Sequence, residues 1–184
     1  MPPSRSKKDL TAMLVGHYDP PSLDYVRAIE GLRADGYSTV FLCPVSSGHK
    51  DHDKHVMAMA GILSVQASAP VVLCSVGLDK GLDGAAIRLW LEKRHPEMEF
   101  KIAFLSSDPQ GEGTPIVIGN ISKSSTHEPI YIPRHLSCQV DVVKKIGAGG
   151  DESRSFPPLI WNYIRKHDLY MSKEAKDASP TEIH

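Results

Sequence analysis

The sequence predicts an α/β fold of three layers, Rossmann-like, with a mostly parallel sheet and helices on both faces. Two observations predict it. Short, almost wholly apolar runs alternate with longer stretches of helical periodicity, and the connections between them are short. Such alternation builds β-α-β units. Strands covered on both faces read as continuous apolar runs rather than alternating ones.

The elements follow in order. Leu10 to Val15 (LTAMLV) reads as a buried first strand ended by Gly16. The next residues, His17-Tyr18-Asp19-Pro20-Pro21, are barred from helix because proline disfavours the α region in the residue before it. Ser22 is the expected N-cap of a helix with Leu23, Val26, Ile29 and Leu32 on one face, and Gly36 stops it. Ser38 to Pro44 (STVFLCP) is the second strand and Ser46 to Asp53 a polar loop. Lys54 to Gln66 is the second helix, with Val56, Met59, Ile62 and Leu63 on its apolar face. Pro70 to Val76 is the third strand, Gly84 to Lys93 the third helix, and Glu99 to Leu105 the fourth strand. Beyond Ser106 the texture changes to a Gly/Pro/Ser-rich loop. Pro115 to Gly119 and Ile130 to Ile132 are short strand candidates, and His135 to Ile146 is a helix candidate. Gly147 to Ser155 reads as a loose connector, and Pro157 to Lys166 as a terminal helix with proline in its first turn. Together these give one domain over residues 10–170, with a small C-terminal helical part and polar, flexible ends at 1–9 and 171–184.

Bulk composition narrows the function classes. Apolar residues make up 41% and charged residues 23%, ordinary for a globular protein. The formal net charge of -1 creates no field that gathers nucleic acid or an anionic membrane. No apolar run reaches the roughly 20 residues of a membrane span. Cys43, Cys74 and Cys138 stand at wide spacing without a CxxC pair, so the expectation is reduced thiols in the cytoplasm or another reducing compartment.

Open parallel sheets bind ligands outside the carboxyl ends of their strands. The first such place here is Gly16-His17-Tyr18-Asp19-Pro20-Pro21-Ser22. Glycine allows a phosphate close to the backbone, and a helix N-terminus presents N–H groups and a positive dipole end. A plain strand-to-helix turn has the same composition.

The segment Gly16 to Glu30 (GHYDPPSLDYVRAIE) resembles the opening motif of the nicotinamide/nicotinate mononucleotide adenylyltransferases, G-[ST]-F-[DN]-P-P-H-x-G-H-L-R. Three further stretches resemble that family in the same order. They are Pro44 to His55 with its His-Lys pair, Ala85 to Asp108, and Phe156 to Tyr170 (FPPLIWNYIRKHDLY), similar to P-x-x-V-x-x-Y-I-x-x-H-x-L-Y. The resemblance implies a nucleotidyltransferase fold that joins a mononucleotide phosphate to the α-phosphate of ATP, releasing pyrophosphate with Mg²⁺ neutralising charge. It implies nucleotide contacts at Gly16, His17, Tyr18, Asp19, Ser22, Tyr25, Lys50 and Asp108. His17, where the family has a small residue, is the catalytic candidate; its other reading is a histidine that closes the strand end without a ligand. Arg27 matches an arginine of the first helix and reads as a surface or packing residue.

The departures are as informative. The family's H-x-G-H is Ser22-Leu23-Asp24-Tyr25 here, so both motif histidines, which hold the triphosphate, are absent. Such electrostatic donors carry much of a transfer rate. The second motif, I-S-S-T-x-x-R, has two partial counterparts. Ile121 to Thr126 keeps the hydroxyls without the arginine. Leu136 to Ile146 has the better spacing, with Val143 where the arginine belongs and Lys144 and Lys145 beside it as substitute point charges.

The run His49 to His55 invites a metal reading through His52 and His55 if the helix starts early, with Asp51 or Asp53 joining. Interleaved lysines oppose a cation, so the expectation is a solvated loop and no metal. Gly147-Ala148-Gly149-Gly150 lacks the Lys-[Ser/Thr] of a phosphate loop.

Three readings follow. The first is a divergent adenylyltransferase. The second is an inactive relative that serves as a nucleotide-binding or structural subunit, either as a homo-oligomer or within a larger assembly. The third is nucleotidyl transfer to another phosphorylated acceptor, such as a pantetheine or sugar-alcohol phosphate.

Overall fold

Strand pairing defines the molecule. β1 (Asp9–Gly16) lies between β2 (Thr39–Pro44) and β4 (Met98–Ser106), and both pairings are parallel. β3 (Val71–Leu73) adds in parallel beyond β2, and β5 (Ile130–Pro133) beyond β4, giving the order β3-β2-β1-β4-β5. This is a computed structural model of the 184-residue chain, and it describes residues 9–46, 48, 50–68, 70–106, 129–133 and 139–172.

The period of two along the strands splits the core into two layers. Ala12, Leu14, Val40, Leu42 and Ala103 face one side. There they meet α1 (Leu23–Ala34), α2 (Lys50–Gln66), α5 (Gln139–Gly147) and α6 (Pro158–Lys166). Met13, Val15, Phe41, Cys43, Phe100, Ile102 and Phe104 face the other side, under α3 (Val76–Lys80) and α4 (Gly84–Glu92). Each large apolar side chain buried in these layers contributes roughly 1.5–3 kcal/mol of transfer free energy.

Most elements form where the apolar pattern places them, and the differences have local causes. The expected strand Pro70 to Val76 holds its sheet conformation for three residues only, and the chain turns into α3 at Val76. Gly77 explains the turn, because a Cβ there would stand 2.4 Å from the Pro44 carbonyl oxygen. Only glycine lets the two backbones approach that closely. α2 begins at Lys50, four residues before the apolar periodicity does. Asp51 and Asp53 suit the positive end of a helix, and Asp53 accepts from Ser46 Oγ at 3.1 and 3.0 Å, which fixes the entry.

The glycine run after α5 is a helix terminus rather than a loose connector. Gly149 takes the left-handed conformation (φ 82°), and the Gly150 N–H returns 2.8 Å to the Lys145 carbonyl. This is the glycine-capped ending that satisfies the last carbonyls of a helix. After α6, Asp168 (φ 48°) and Tyr170 (φ 65°) are also left-handed, which costs a non-glycine residue of order 1 kcal/mol. That bend seats Leu169 in the core and turns Tyr170 back toward the first strand-helix loop. The strand expected at Pro115–Gly119, the segment Ile121–Thr126 and Asp108 lie outside the described residues. No described helix is long and apolar enough to cross a membrane.

Candidate functional site

At the carboxyl ends of the central strands, the loop from Gly16 to Ser22 decides what the site offers. Ser22 caps α1, its Oγ accepting from the Asp24 N–H at 3.3 Å, and the Tyr25 N–H bonds to the Ser22 carbonyl at 3.0 Å. The hydroxyl of Tyr25, itself 3% exposed, lies over Gly16, where a Cβ would meet it at 2.4 Å. That hydroxyl also accepts the Tyr18 N–H at 3.4 Å. The first-turn carboxylate, Asp24, is 1% exposed and pairs with Arg27 at 3.2 Å. The place where an anion cradle was expected therefore holds the protein's own groups. A tyrosine covers the glycine and takes a loop amide, and a carboxylate occupies the positive end of the helix.

The other predicted residues of this loop turn inward or bond locally. Tyr18 is left-handed (φ 53°) and fully buried; its hydroxyl donates to the Leu14 carbonyl at 2.6 Å, and its ring meets that of Tyr25 at 4.3 Å. His17 is half-buried, and its Nδ1 donates to the Val45 carbonyl at 3.3 Å. This ties the end of β1 to the segment after β2.

Beside this loop opens a cleft of about 740 Å³ lined by Asp19, Gly48, Lys50, Asp51, His52, Val143 and Tyr170. It lies within the size range of small-ligand sites. The structure thus brings Asp19 and Lys50 together, with Val143 of α5 opposite. Lys144 and Lys145 are exposed outside that lining, and Lys145 pairs with Glu152 at 3.5 Å.

A clasp closes one wall of the cleft. The Tyr170 hydroxyl donates to Asp19 Oδ1. His52 Nδ1 lies 3.0 Å from the same oxygen but off the line of a hydrogen bond, so that contact is electrostatic only. Burial, then the adjacent Asp19 charge, pushes the Tyr170 hydroxyl far above its ordinary value, so it stays a donor. Behind it, His55 Nδ1 meets Tyr163 Oη at 3.0 Å, and the ring of His167 packs 4.3 Å from Tyr163 and 5.5 Å from His55. Burial, followed by Lys54, His52 and His167, lowers the His55 pKa against an opposing pull from Asp19. His52 and His55 do share a face, because α2 starts early, yet no group of three or more ligating side chains among the described residues is placed to hold a metal ion.

Tyr163, His167 and Tyr170 are the polar positions of the C-terminal signature. The sequence marked them by resemblance without saying that they grip α2 and the Asp19 loop. Val143, which stands where the second motif has its arginine, lines the cleft, whereas the covering of Gly16 by Tyr25 had no sequence signal.

The sheet order and its two helical layers define the class: a three-layer, Rossmann-like α/β fold with a cleft at the strand ends. Particular structures narrow the likeness. The chain is similar to a protein of Vibrio parahaemolyticus assigned as a nicotinate-nucleotide adenylyltransferase, with a TM-score of 0.65 and 17% identity over 88% of this chain and 95% of that one. It is also similar to the nicotinic acid mononucleotide adenylyltransferase of Plasmodium falciparum. The form complexed with APC gives a TM-score of 0.55 at 17% identity over 89% of this chain and 98% of that one. The form complexed with NaAD gives 0.56 at 16% over 88% and 97%. No protein-family model and no curated protein sequence matches the chain. At such identities the likeness is one of fold.

Proposed function

We propose that this chain is a divergent nicotinamide/nicotinate mononucleotide adenylyltransferase-like protein that binds a nucleotide in the Asp19–Lys50–Tyr170 cleft and has lost the transfer step. The observation that carries the second half is the Tyr25 hydroxyl seated on Gly16 and bonded to the Tyr18 amide. A triphosphate laid across this loop would meet a buried hydroxyl and the Asp24 carboxylate, and no histidine stands at position 22 or 25. The residues present do not fit ATP with its Mg²⁺ at this helix end. What supports the first half is the place of the cleft at the strand ends, its size, and Lys50 as a cation for one phosphate.

The test has two arms. Nicotinamide or nicotinate mononucleotide raises the melting temperature. A ligand at a hundred times its Kd adds about 2.7 kcal/mol, or roughly 2–4 °C per kcal/mol for a chain of this size. Lys50→Ala removes that rise. With ATP, Mg²⁺ and either mononucleotide, no pyrophosphate is released. Pyrophosphate release that collapses in His17→Ala would overturn the loss of transfer. Absence of stabilisation by any nucleotide would overturn the binding half.

A further inference from the structure

Cys43 and Cys74, which stand far apart in the sequence, come side by side in the fold. β2 and β3 are paired in register Leu42 with Leu73. The next residues are Cys43 and Cys74, and the Cys74 N–H continues the ladder to the Leu42 carbonyl at 2.8 Å. Neighbouring strands lie about 4.8 Å apart, inside the roughly 4.4–6.8 Å between Cα atoms that a disulfide spans. Both side chains point into the same core layer, under α3 and α4, where the Cys43 thiol donates to the Phe41 carbonyl at 3.7 Å. Cys43 is fully buried, and Cys74, at the end of β3, keeps 7% of its surface open.

We propose that Cys43 and Cys74 form a redox site, in which hydrogen peroxide oxidises Cys74 and Cys43 resolves it to a disulfide. The Cys74 thiolate attacks the peroxide, the O–O bond breaks, and the departing hydroxide leaves as water with a proton. Cys74 is then a sulfenic acid. The Cys43 sulfur displaces its hydroxyl, the Cys43 proton leaves with it as a second water, and the S–S bond forms. Two thiols and one peroxide become one disulfide and two waters.

The roles follow from the asymmetry of the pair. The neighbouring Cys43 thiol is the main cause lowering Cys74 to about 7, against its own burial and helped by the Val76 N–H. Burial pushes Cys43 well up. The outer sulfur is therefore the nucleophile, as thiolate character requires, and the inner one its resolving partner. A peroxide is small enough for the narrow opening at Cys74. The bond would tie β2 to β3 at the strand ends and close the chain segment that carries α2, one wall of the cleft.

The experiment uses the full chain with Cys138→Ser, so that only this pair reacts. After stoichiometric hydrogen peroxide, intact mass falls by two hydrogens, both thiols resist alkylation in denaturant, and a dithiol reductant restores them. The melting temperature rises on oxidation by several degrees. In Cys43→Ala, chosen because the site is apolar, Cys74 loses the neighbour that lowers it and reacts more slowly with excess peroxide, but its sulfenic acid, with no resolving thiol beside it, persists and is trapped by a cyclic diketone. Gain of oxygen on Cys74 with Cys43 still open to alkylation, or no reaction in the folded protein, would overturn the assignment.

Discussion

Gly16→Ala tests the filled loop directly. The added methyl carbon would stand 2.4 Å from Tyr25 Oη, 3.3 Å from its Cζ and 3.4 Å from its Cε1. Tyr25 has no room to yield, since it is 3% exposed and its ring lies 4.3 Å from that of the fully buried Tyr18. Overpacking of this kind costs about 1–3 kcal/mol. Tyr25→Phe removes the oxygen and leaves ring carbons at 3.3 and 3.4 Å, a tight contact that a shift of a few tenths of an ångström relieves. It also strips the Tyr18 N–H of its acceptor, at a cost of about 1 kcal/mol. In that background Gly16→Ala changes stability little, because the roughly 0.4–1 kcal/mol gained by restricting the unfolded chain offsets the residual tightness. The four proteins form a double-mutant cycle, read by urea unfolding, with an expected coupling of about 1–2 kcal/mol. Additive costs would refute the claim that the tyrosine hydroxyl occupies the glycine's cradle.

Two further predictions concern the clasp. His55 has a pKa below its ordinary 6.5, so between that value and its folded pKa the unfolded chain binds more protons. Stability therefore falls as pH drops from about 6.5 into that window, and His55→Gln flattens the decline; a profile unchanged by the substitution would remove His55 as its cause. Tyr170→Phe deletes the hydrogen bond to Asp19 and costs about 1.5–3 kcal/mol as a bond to a charged group. Limited trypsin digestion then cuts faster after Arg165 and Lys166, while an unchanged rate would show that the bond does not hold the end of α6.

How much of the site was legible depends on sequence distance. Asp19 stands in the loop after the first strand, where any parallel sheet places ligands, so position nominated it, while Lys50 was marked by resemblance to a His-Lys pair. Tyr170 lies 151 residues from the carboxylate it grips, and only resemblance to a signature marked it. The early start of α2 was hidden because Lys50 to Asp53 are all polar and carry no periodicity; the Ser46–Asp53 bond and the charges of the first turn supply what the pattern lacked.

The sequence by itself determined the alternation of strands and helices, because burial on both faces demands apolar runs and coverage on one face demands a helical stripe. It also determined where the chain departs from the motifs it resembles, since that is a matter of which residue stands at a given position. Only the tertiary structure decided that Tyr25 would lie over Gly16, that Asp24 would be buried at the helix end, and that Cys43 and Cys74 would touch. Each of these depends on how one side chain meets a backbone or a thiol from another part of the chain, and a one-dimensional pattern does not encode the close packing that brings them together.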